Sequence, residues 1–221
     1  MSLFLGKIHY WLYNKIVWAE KAETDMLTWA ESQGLTAATW VQEFQREYGQ
    51  PTGNRPLEEI IDTSNIHGWL QERIRSVELR QAALVTAVLR ENPSHKDALL
   101  KIFENQGEAA AREYKTPSEG AEEVRFSAGV ETPEGAYNAL NDFILEGMPC
   151  DRGSQVIQNT EDELIWQTAA ELHEPYWEQA GGDIRNFFAL REAWIASFIG
   201  TLNPTLRFEK RSEGEYSITR K

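Results

Sequence analysis

Cysteine is almost absent from this chain, since Cys150 is the only one among 221 residues. A single cysteine excludes an internal disulfide and suits a reducing compartment. Basic residues are also scarce: the chain has 22 Lys and Arg but 35 Asp and Glu, which gives a formal net charge of −13. This balance disfavours binding to nucleic acid and to anionic membrane surfaces, both of which need a basic surface.

Long apolar runs and familiar catalytic motifs are missing as well. No uninterrupted stretch approaches the roughly 20 apolar residues of a membrane-spanning helix. The first 18 residues contain Lys7, His9, Asn14 and Lys15, which is unlike a signal peptide. GxGxxG, GxxxxGK[ST], HExxH, GxSxG and CxxC do not occur, so phosphate-loop, zincin and thioredoxin-type chemistry lose support. We expect a cytoplasmic protein without a membrane or nucleic-acid partner.

What the chain does contain is enough apolar surface for a core, with 41% hydrophobic residues and eight Trp. Residues 3–114 show a helical pattern that is interrupted at Gly34, at Gly49 and at Asn92-Pro93. The predicted helices span residues 3–32, 36–48, 64–91 and 94–114. Four helices with mostly short connections predict an antiparallel four-helix bundle over residues 1–114.

The first and third helices carry an internal repeat. Ile8-His9-Tyr10-Trp11-Leu12 matches Ile66-His67-Gly68-Trp69-Leu70 at an offset of 58 residues, and six of 13 aligned positions are identical. The identities include Glu20 and Glu78, which end the aligned stretch. We interpret residues 1–114 as two helical hairpins related by an approximate twofold axis.

The second half of the chain has a different pattern. A polar linker is predicted at 115–131, and Thr132-Pro133-Glu134 then begins a helix that should reach Glu146. Strands are predicted at 154–159 and 163–169, helices at 174–179 and 183–199, and a closing hairpin at 206–220. The predicted fold class is therefore α+β, mostly helical, with a small antiparallel sheet in residues 132–221.

His9 and His67 are the first candidate site residues. They occupy matched positions on two helices that run parallel in such a bundle, so their rings could converge and bind a metal with Cys150 as a further ligand. A divalent cation, zinc, iron or nickel, would be the cofactor. The alternative is structural, with each ring packed beside Trp11 or Trp69 and capping the end of the bundle. We weigh this alternative above metal binding.

Met148-Pro149-Cys150-Asp151-Arg152-Gly153 is the second candidate, because it connects a helix to a strand in a region where function often lies. Cys150 could be a nucleophile or a metal ligand, and Arg152 could lower its pKa while Asp151 would raise it. The alternatives are a small buried apolar residue or a redox switch with an exposed thiol.

His173 is the third candidate, at a predicted strand-to-helix joint. It could act as a general base for Cys150 or share a metal with it. The alternative is an exposed histidine at a helix N-terminus. Trp177 follows closely and is a candidate for ligand binding, together with Trp11, Trp69, Asp151 and Arg152.

Three segments resemble a family of uncharacterised bacterial proteins, found largely in anaerobes. They are Phe4-Leu5-Gly6 with the following His9 to Ile16, Asn65-Ile66-His67-Gly68-Trp69-Leu70-Gln71, and Gly147-Met148-Pro149-Cys150-Asp151-Arg152. That family has no assigned activity, so the resemblance implies a grouping and no function.

The last ~75 residues also resemble the C-terminal part of the L-2-amino-thiazoline-4-carboxylate hydrolase-like proteins. The similar pieces are Tyr176-Trp177-Glu178-Gln179-Ala180-Gly181-Gly182, Trp194, Leu202-Asn203-Pro204 and the closing strands. This resemblance implies an α+β module that binds a small cyclic or sulfur-containing metabolite. Those proteins have Cys-Pro where this chain has His173-Glu174-Pro175, so no catalytic role is carried over.

Together these patterns predict a pocket between the bundle and the α+β unit that binds a metal ion or a small metabolite, with hydrolase-type chemistry as one outcome. Its catalytic residues would be Cys150 and His173, and its metal ligands His9, His67 and Cys150. The alternative is a non-catalytic sensor or interaction module, in which the bundle forms a homodimer and the histidines only pack.

Overall fold

A computed structural model describes residues 5–116, 129–168 and 172–221 of the chain, and it confirms a mostly helical α+β fold. The helices are α1 (Lys7–Ser32), α2 (Ala37–Tyr48), α3 (Leu57–Ile60), α4 (Ile66–Glu91), α5 (Lys96–Lys115), α6 (Pro133–Asn141), α7 (Glu174–Gln179) and α8 (Ile184–Leu202). The strands are β1 (Ser154–Asn159), β2 (Glu163–Thr168), β3 (Leu206–Ser212) and β4 (Glu215–Arg220). Short 3-10 turns precede α5 and follow the loop after α6.

The two repeated helices, α1 and α4, have the same length of 26 residues and pack against each other. Leu12 and Ile16 of α1 are buried, as are the aligned Leu70 and Ile74 of α4. Ile8 is exposed, whereas the aligned Ile66 is buried. Their first turns differ, because Asn65 caps α4 by accepting a hydrogen bond from the Gly68 amide. In α1 the Nδ1 atom of His9 accepts from the Gly6 amide at 2.9 Å. The sequence repeat is thus a repeat of the core-facing surface and not of the caps.

The four strands form one antiparallel sheet in the order β1-β2-β4-β3. Trp166, Tyr216 and Ile218 lie on its inner face and are fully buried. Strand β1 forms an exposed edge, with a register irregularity between Val156 and Gln158. The sheet therefore contributes one face to the core.

The main core joins the two halves of the chain, because α5 packs along α8 more extensively than on any other element. At Gly107 the helices approach so closely that an added Cβ atom would lie 2.2 Å from the Trp194 carbonyl oxygen. A division into units 1–114 and 132–221 stays a prediction, and residues 117–128 of the expected linker lie outside the described part of the chain.

A buried ion cluster joins α1 to α4. The Arg80 guanidinium donates to both Glu23 carboxylate oxygens at 3.0 Å, to Ser76 Oγ at 2.6 Å and to the Gly49 carbonyl at 2.9 Å. Its third nitrogen lies 3.3 Å from Glu20 Oε1. We call these residues the Arg80 cluster; each guanidinium nitrogen in it has a partner.

Helix α6 ends at Asn141, five residues before the predicted end at Glu146. The reason is the Asn141-Asp142-Phe143 sequence: Asp142 accepts a hydrogen bond from the Trp11 indole at 2.9 Å, and Phe143 turns into the core against Trp18. The chain then continues as an irregular segment, residues 142–147. This early end places its side chains between the helices.

Within the described residues, no helix combines the length and apolar character needed to cross a membrane.

Candidate functional site

His9 and His67 do converge, with ring centroids 6.2 Å apart and an edge-on arrangement. His9 is buried and holds the first turn of α1, whereas His67 is exposed. Burial, followed by the charge of His67, lowers the pKa of His9. Among the described residues there is no group of three or more His, Cys, Asp and Glu side chains placed to hold a metal, so metal binding stays a prediction.

Cys150 lies in an exposed 3-10 turn, and the alternative of a buried apolar cysteine is wrong. Its sulfur is 3.8 Å from Asp151 Oδ1. Asp151 itself fixes the turn by accepting the Met148 amide at 2.8 Å through its other oxygen. Arg152 is exposed and adopts the left-handed conformation with φ 53°. These contacts give the loop a defined shape, in which Met148 is buried and Cys150, Asp151 and Arg152 are exposed.

His173 is fully buried, so the alternative of an exposed histidine is wrong. Its Nδ1 atom lies 3.1 Å from Glu78 Oε1, and its Nε2 atom lies 3.9 Å from Glu146 Oε2. The Leu172 side chain lies against Gly147 and Gly153, so the residue before His173 contacts the Cys150 loop. The described contacts of the His173 and Cys150 side chains nevertheless involve different residues, and His173 is paired with carboxylates.

The three predicted tryptophans have different surroundings. Trp11 is half-buried, and the Lys15 ammonium lies 3.5 Å from its ring centroid. Trp69 packs on Tyr13 near the histidine pair. Trp177 is buried against Phe187. Of these residues, Trp11 and Trp177 contact residues that line the pocket described next.

A partly open pocket of about 80 Å³ lies between the helices of the first half and α8. Its polar lining comes from Lys15, Glu78, Gln81 and Arg191. Aromatic side chains make up half of the rest: Trp18, Phe103, Phe143, Phe187 and Trp194. Apolar walls with a few polar groups are typical of small-molecule sites. Residues of both halves line the pocket, and none of the site residues predicted from the sequence is among them.

Lys15 is the unusual group of this pocket. The side chain is 4% exposed, yet its Nζ atom has no hydrogen bond or ion pair with any described residue. Burial lowers the pKa of Lys15 to about 7, although the Glu146 and Asp142 carboxylates act in the raising direction. The face of the Trp11 ring also favours the ammonium form. Lys15 can therefore exist as ammonium or as free amine near neutral pH.

Buried charged residues also lie next to the pocket, around Glu146. Glu146 accepts from Arg191 Nε at 2.8 Å and also contacts Arg191 Nη2. Burial would raise the pKa of Glu146, but Arg191 and His173 lower it to about 2. Burial would lower the pKa of His173, but Glu78 and Glu146 raise it to about 9. We call Lys15, Glu78, Glu146, His173 and Arg191 the Glu146 network.

The Glu146 network is incompletely paired. Arg191 Nη1 and His173 Nε2 are buried and have no hydrogen-bond partner in the described residues. With Asp142 included, three cations face three carboxylates when Lys15 is protonated. The site is then neutral, and it keeps donors that a ligand or water oxygen can satisfy.

The site residues predicted from the sequence do not include Lys15, Glu78, Glu146 and Arg191. The sequence does contain a signal for two of them, because Lys15 and Arg191 interrupt apolar helix faces. A charged residue in such a position is rarely buried unless it is paired. Helical periodicity would have marked both as buried charges. It would not have shown that they share a pocket.

Comparisons with family models, with curated proteins and with solved structures find no match to this chain. The two family resemblances therefore stay predictions, and the pocket is the remaining evidence on function.

Proposed function

We propose that the protein binds a small, uncharged and largely apolar metabolite in the pocket between α1, α4, α5 and α8. A hydrogen-bond acceptor oxygen of this metabolite meets Lys15. The observation that carries the proposal is the unpaired Lys15 amine in a pocket with aromatic walls. A buried cation without a hydrogen bond costs stability, and a ligand oxygen would offset that cost.

The charges of the site support an uncharged ligand. The Glu146 network and Asp142 balance to zero when Lys15 is protonated, so a ligand with a full charge would leave that charge uncompensated in a buried environment. The aromatic walls favour an apolar or planar body instead.

The volume restricts the size. An apolar cavity of roughly 150 Å³ holds benzene, and this pocket is about half as large at about 80 Å³. A ligand of a few carbon atoms fits inside, and a longer one must extend through the open side. The exposed free thiol of Cys150 suits a reducing compartment, so we place this function in the cytoplasm.

The test is a binding screen with matched pairs of small compounds, butanone with 2-butanol and benzaldehyde with benzyl alcohol. Melting temperature and tryptophan fluorescence report binding, since Trp18 and Trp194 line the pocket. We expect at least one compound to raise the melting temperature with a matching fluorescence change. Binding at 100 times Kd stabilises the folded state by about 2.7 kcal/mol.

A pocket-filling variant decides whether the signal comes from this site. Ala19→Leu places a larger side chain in the pocket lining, and Ala109→Leu makes the same change at an exposed position of α5. Binding should be lost in the first variant and retained in the second. Equal binding by both variants, or no response to any compound, would contradict the proposal.

A further inference from the structure

We propose that Lys15 is an amine nucleophile that captures a small aldehyde or ketone in this pocket as a covalent protonated imine. The inference rests on the proposed function and narrows its ligand class to carbonyl compounds. Its basis is the position of Lys15, whose side chain is buried in the pocket lining and whose Nζ atom has no hydrogen bond or ion pair among the described residues.

The first requirement of imine formation is a free amine at the carbonyl carbon. An ordinary lysine has a pKa near 10.4, so about one molecule in 2,500 carries the free amine at pH 7. Burial lowers the pKa of Lys15 to about 7, which makes about half of the molecules reactive at that pH. Desolvation of a lysine in an apolar pocket is a known way to activate it as a nucleophile.

The second requirement is a stable product. The Lys15 nitrogen attacks the carbonyl carbon, an N–H proton passes to the oxygen, and the carbinolamine then loses that oxygen as water. From the free amine, one carbonyl compound and one proton from solvent give one protonated imine and one water. No oxidant or reductant is needed.

The protonated imine keeps the positive charge that the site is built to balance. Charged groups face Lys15 from all sides: Glu146 and Asp142 from the segment after α6, Glu78 from α4, Arg191 from α8, and His173 next to Glu146. With an uncharged carbonyl compound bound as imine, the three cations and three carboxylates still sum to zero. A carboxylate-bearing carbonyl compound would add an uncompensated negative charge, so simple aldehydes and ketones are the favoured class.

The experiment uses the full chain with butanone or benzaldehyde and sodium cyanoborohydride at pH 7, which reduces an imine to a stable amine. Intact mass and peptide mapping then locate the adduct. We expect Lys15 to be labelled at least tenfold faster than any other lysine. The expected increase in labelling rate is smaller than the increase in the fraction of free amine, because a less basic amine is also a weaker nucleophile. The N-terminal amine also reacts near pH 7, and mapping separates it.

Three variants define the result. Lys15→Met removes the amine, Lys15→Arg keeps a charge but not the nucleophile, and Lys7→Met is the control on the same helix. The first two should abolish the adduct while circular dichroism shows intact helices, and the control should label like the original chain. 2-Butanol, which has no carbonyl group, should give no adduct.

The outcomes separate this inference from the proposed function. If butanone shifts the melting temperature and Lys15 remains unlabelled, or if all lysines label equally, the imine is wrong and the binding pocket stands. If neither butanone nor 2-butanol changes melting temperature or fluorescence, and no adduct forms, the pocket itself is not a site for such ligands.

Discussion

The molecule contains two buried ion clusters of similar composition but different completeness. In the Arg80 cluster, each nitrogen of Arg80 has an oxygen partner within 3.3 Å. In the Glu146 network, Arg191 and His173 each leave one buried nitrogen without a partner in the described residues. The Glu146 network borders the pocket between the helices.

This difference separates charges that join two helices from charges that we propose to contact a ligand. The Arg80 cluster saturates its donors with Glu20, Glu23, Ser76 and a loop carbonyl, and it joins two helices. The Glu146 network keeps unpaired donors at some cost in stability, as binding sites commonly do. The predictions below test this comparison, beginning with the largest effect.

Arg80→Met should cause the largest loss of stability. It leaves Glu23 buried with no other cation hydrogen-bonded to it among the described residues, and breaking a buried pair in this way costs about 3–5 kcal/mol. Arg191→Met should cost less, because His173 remains 3.9 Å from Glu146 as a second counter-charge. Urea unfolding at pH 7 measures both free energies.

The control for these variants is Arg75→Met, whose side chain is 41% exposed and forms an ion pair with Glu72. It should change the free energy of unfolding by no more than about 0.5 kcal/mol. An equal loss in Arg80→Met and Arg191→Met would show that the two clusters do not differ in the proposed way.

The pH dependence should reveal two opposing groups in the Glu146 network. The pKa of His173 rises from 6.5 to about 9 on folding, so its stabilising effect is complete below pH 6.5 and is lost as pH rises to 9. The pKa of Lys15 falls from 10.5 to about 7, so stability is gained as pH rises from 7 to 10.5. Each slope reaches about 1.4 kcal/mol per pH unit.

Between pH 7 and 9 these slopes cancel, and the free energy of unfolding of the original chain should stay nearly constant. Lys15→Met should lose stability over this range, by about 3 kcal/mol at most, and His173→Gln should gain it. Urea unfolding at half-unit pH steps gives the three profiles. Parallel profiles for the two variants would contradict the assignment.

Lys15→Met should stabilise the protein while it removes binding. The Lys15 ammonium loses hydration on folding without gaining a hydrogen bond among the described residues, so its removal should raise the free energy of unfolding by about 2 kcal/mol at pH 7. The melting temperature and the free energy of unfolding should both rise. A loss of stability would mean that Lys15 is a structural ion like Arg80.

Ser76→Ala should have the smallest measurable effect. It removes the 2.6 Å hydrogen bond from Arg80, and loss of a partner to a buried charged donor costs about 1–3 kcal/mol. We expect the lower end, because Arg80 Nη1 still donates to the Gly49 carbonyl. Cys150→Ser, at an exposed position, is the matched control and should be neutral in urea unfolding.

Much of the fold could be predicted from the sequence. Strand β1 and the helical stretch of α7 have the predicted bounds, and α1, α2 and α4 end at Ser32, Tyr48 and Glu91 as predicted. Glycine, proline and asparagine mark these ends locally, so no tertiary information is needed. The end of α6 could not be predicted, because it depends on Asp142 meeting Trp11 from a distant helix.

The site was less predictable than the fold. Periodicity tells which face of a helix a residue occupies, but not which residue lies opposite. Glu78 and His173 are 95 positions apart, and their contact depends on how α4 packs against α7. His9 and His67 were predicted to converge because a repeat relates their helices, whereas no repeat relates Lys15 to Glu146.

The close packing of α5 on α8 also has a consequence for synthesis on the ribosome. After α5 is complete, about 90 residues must be added before α8 is complete, which takes roughly 4–18 s at about 5–20 residues per second. Until then the face of α5 that carries Leu99, Phe103 and Ala110 lacks its main partner. Apolar surface exposed in this way is what chaperones recognise and what aggregates. The nascent chain is therefore most vulnerable while the second half of the protein is being made.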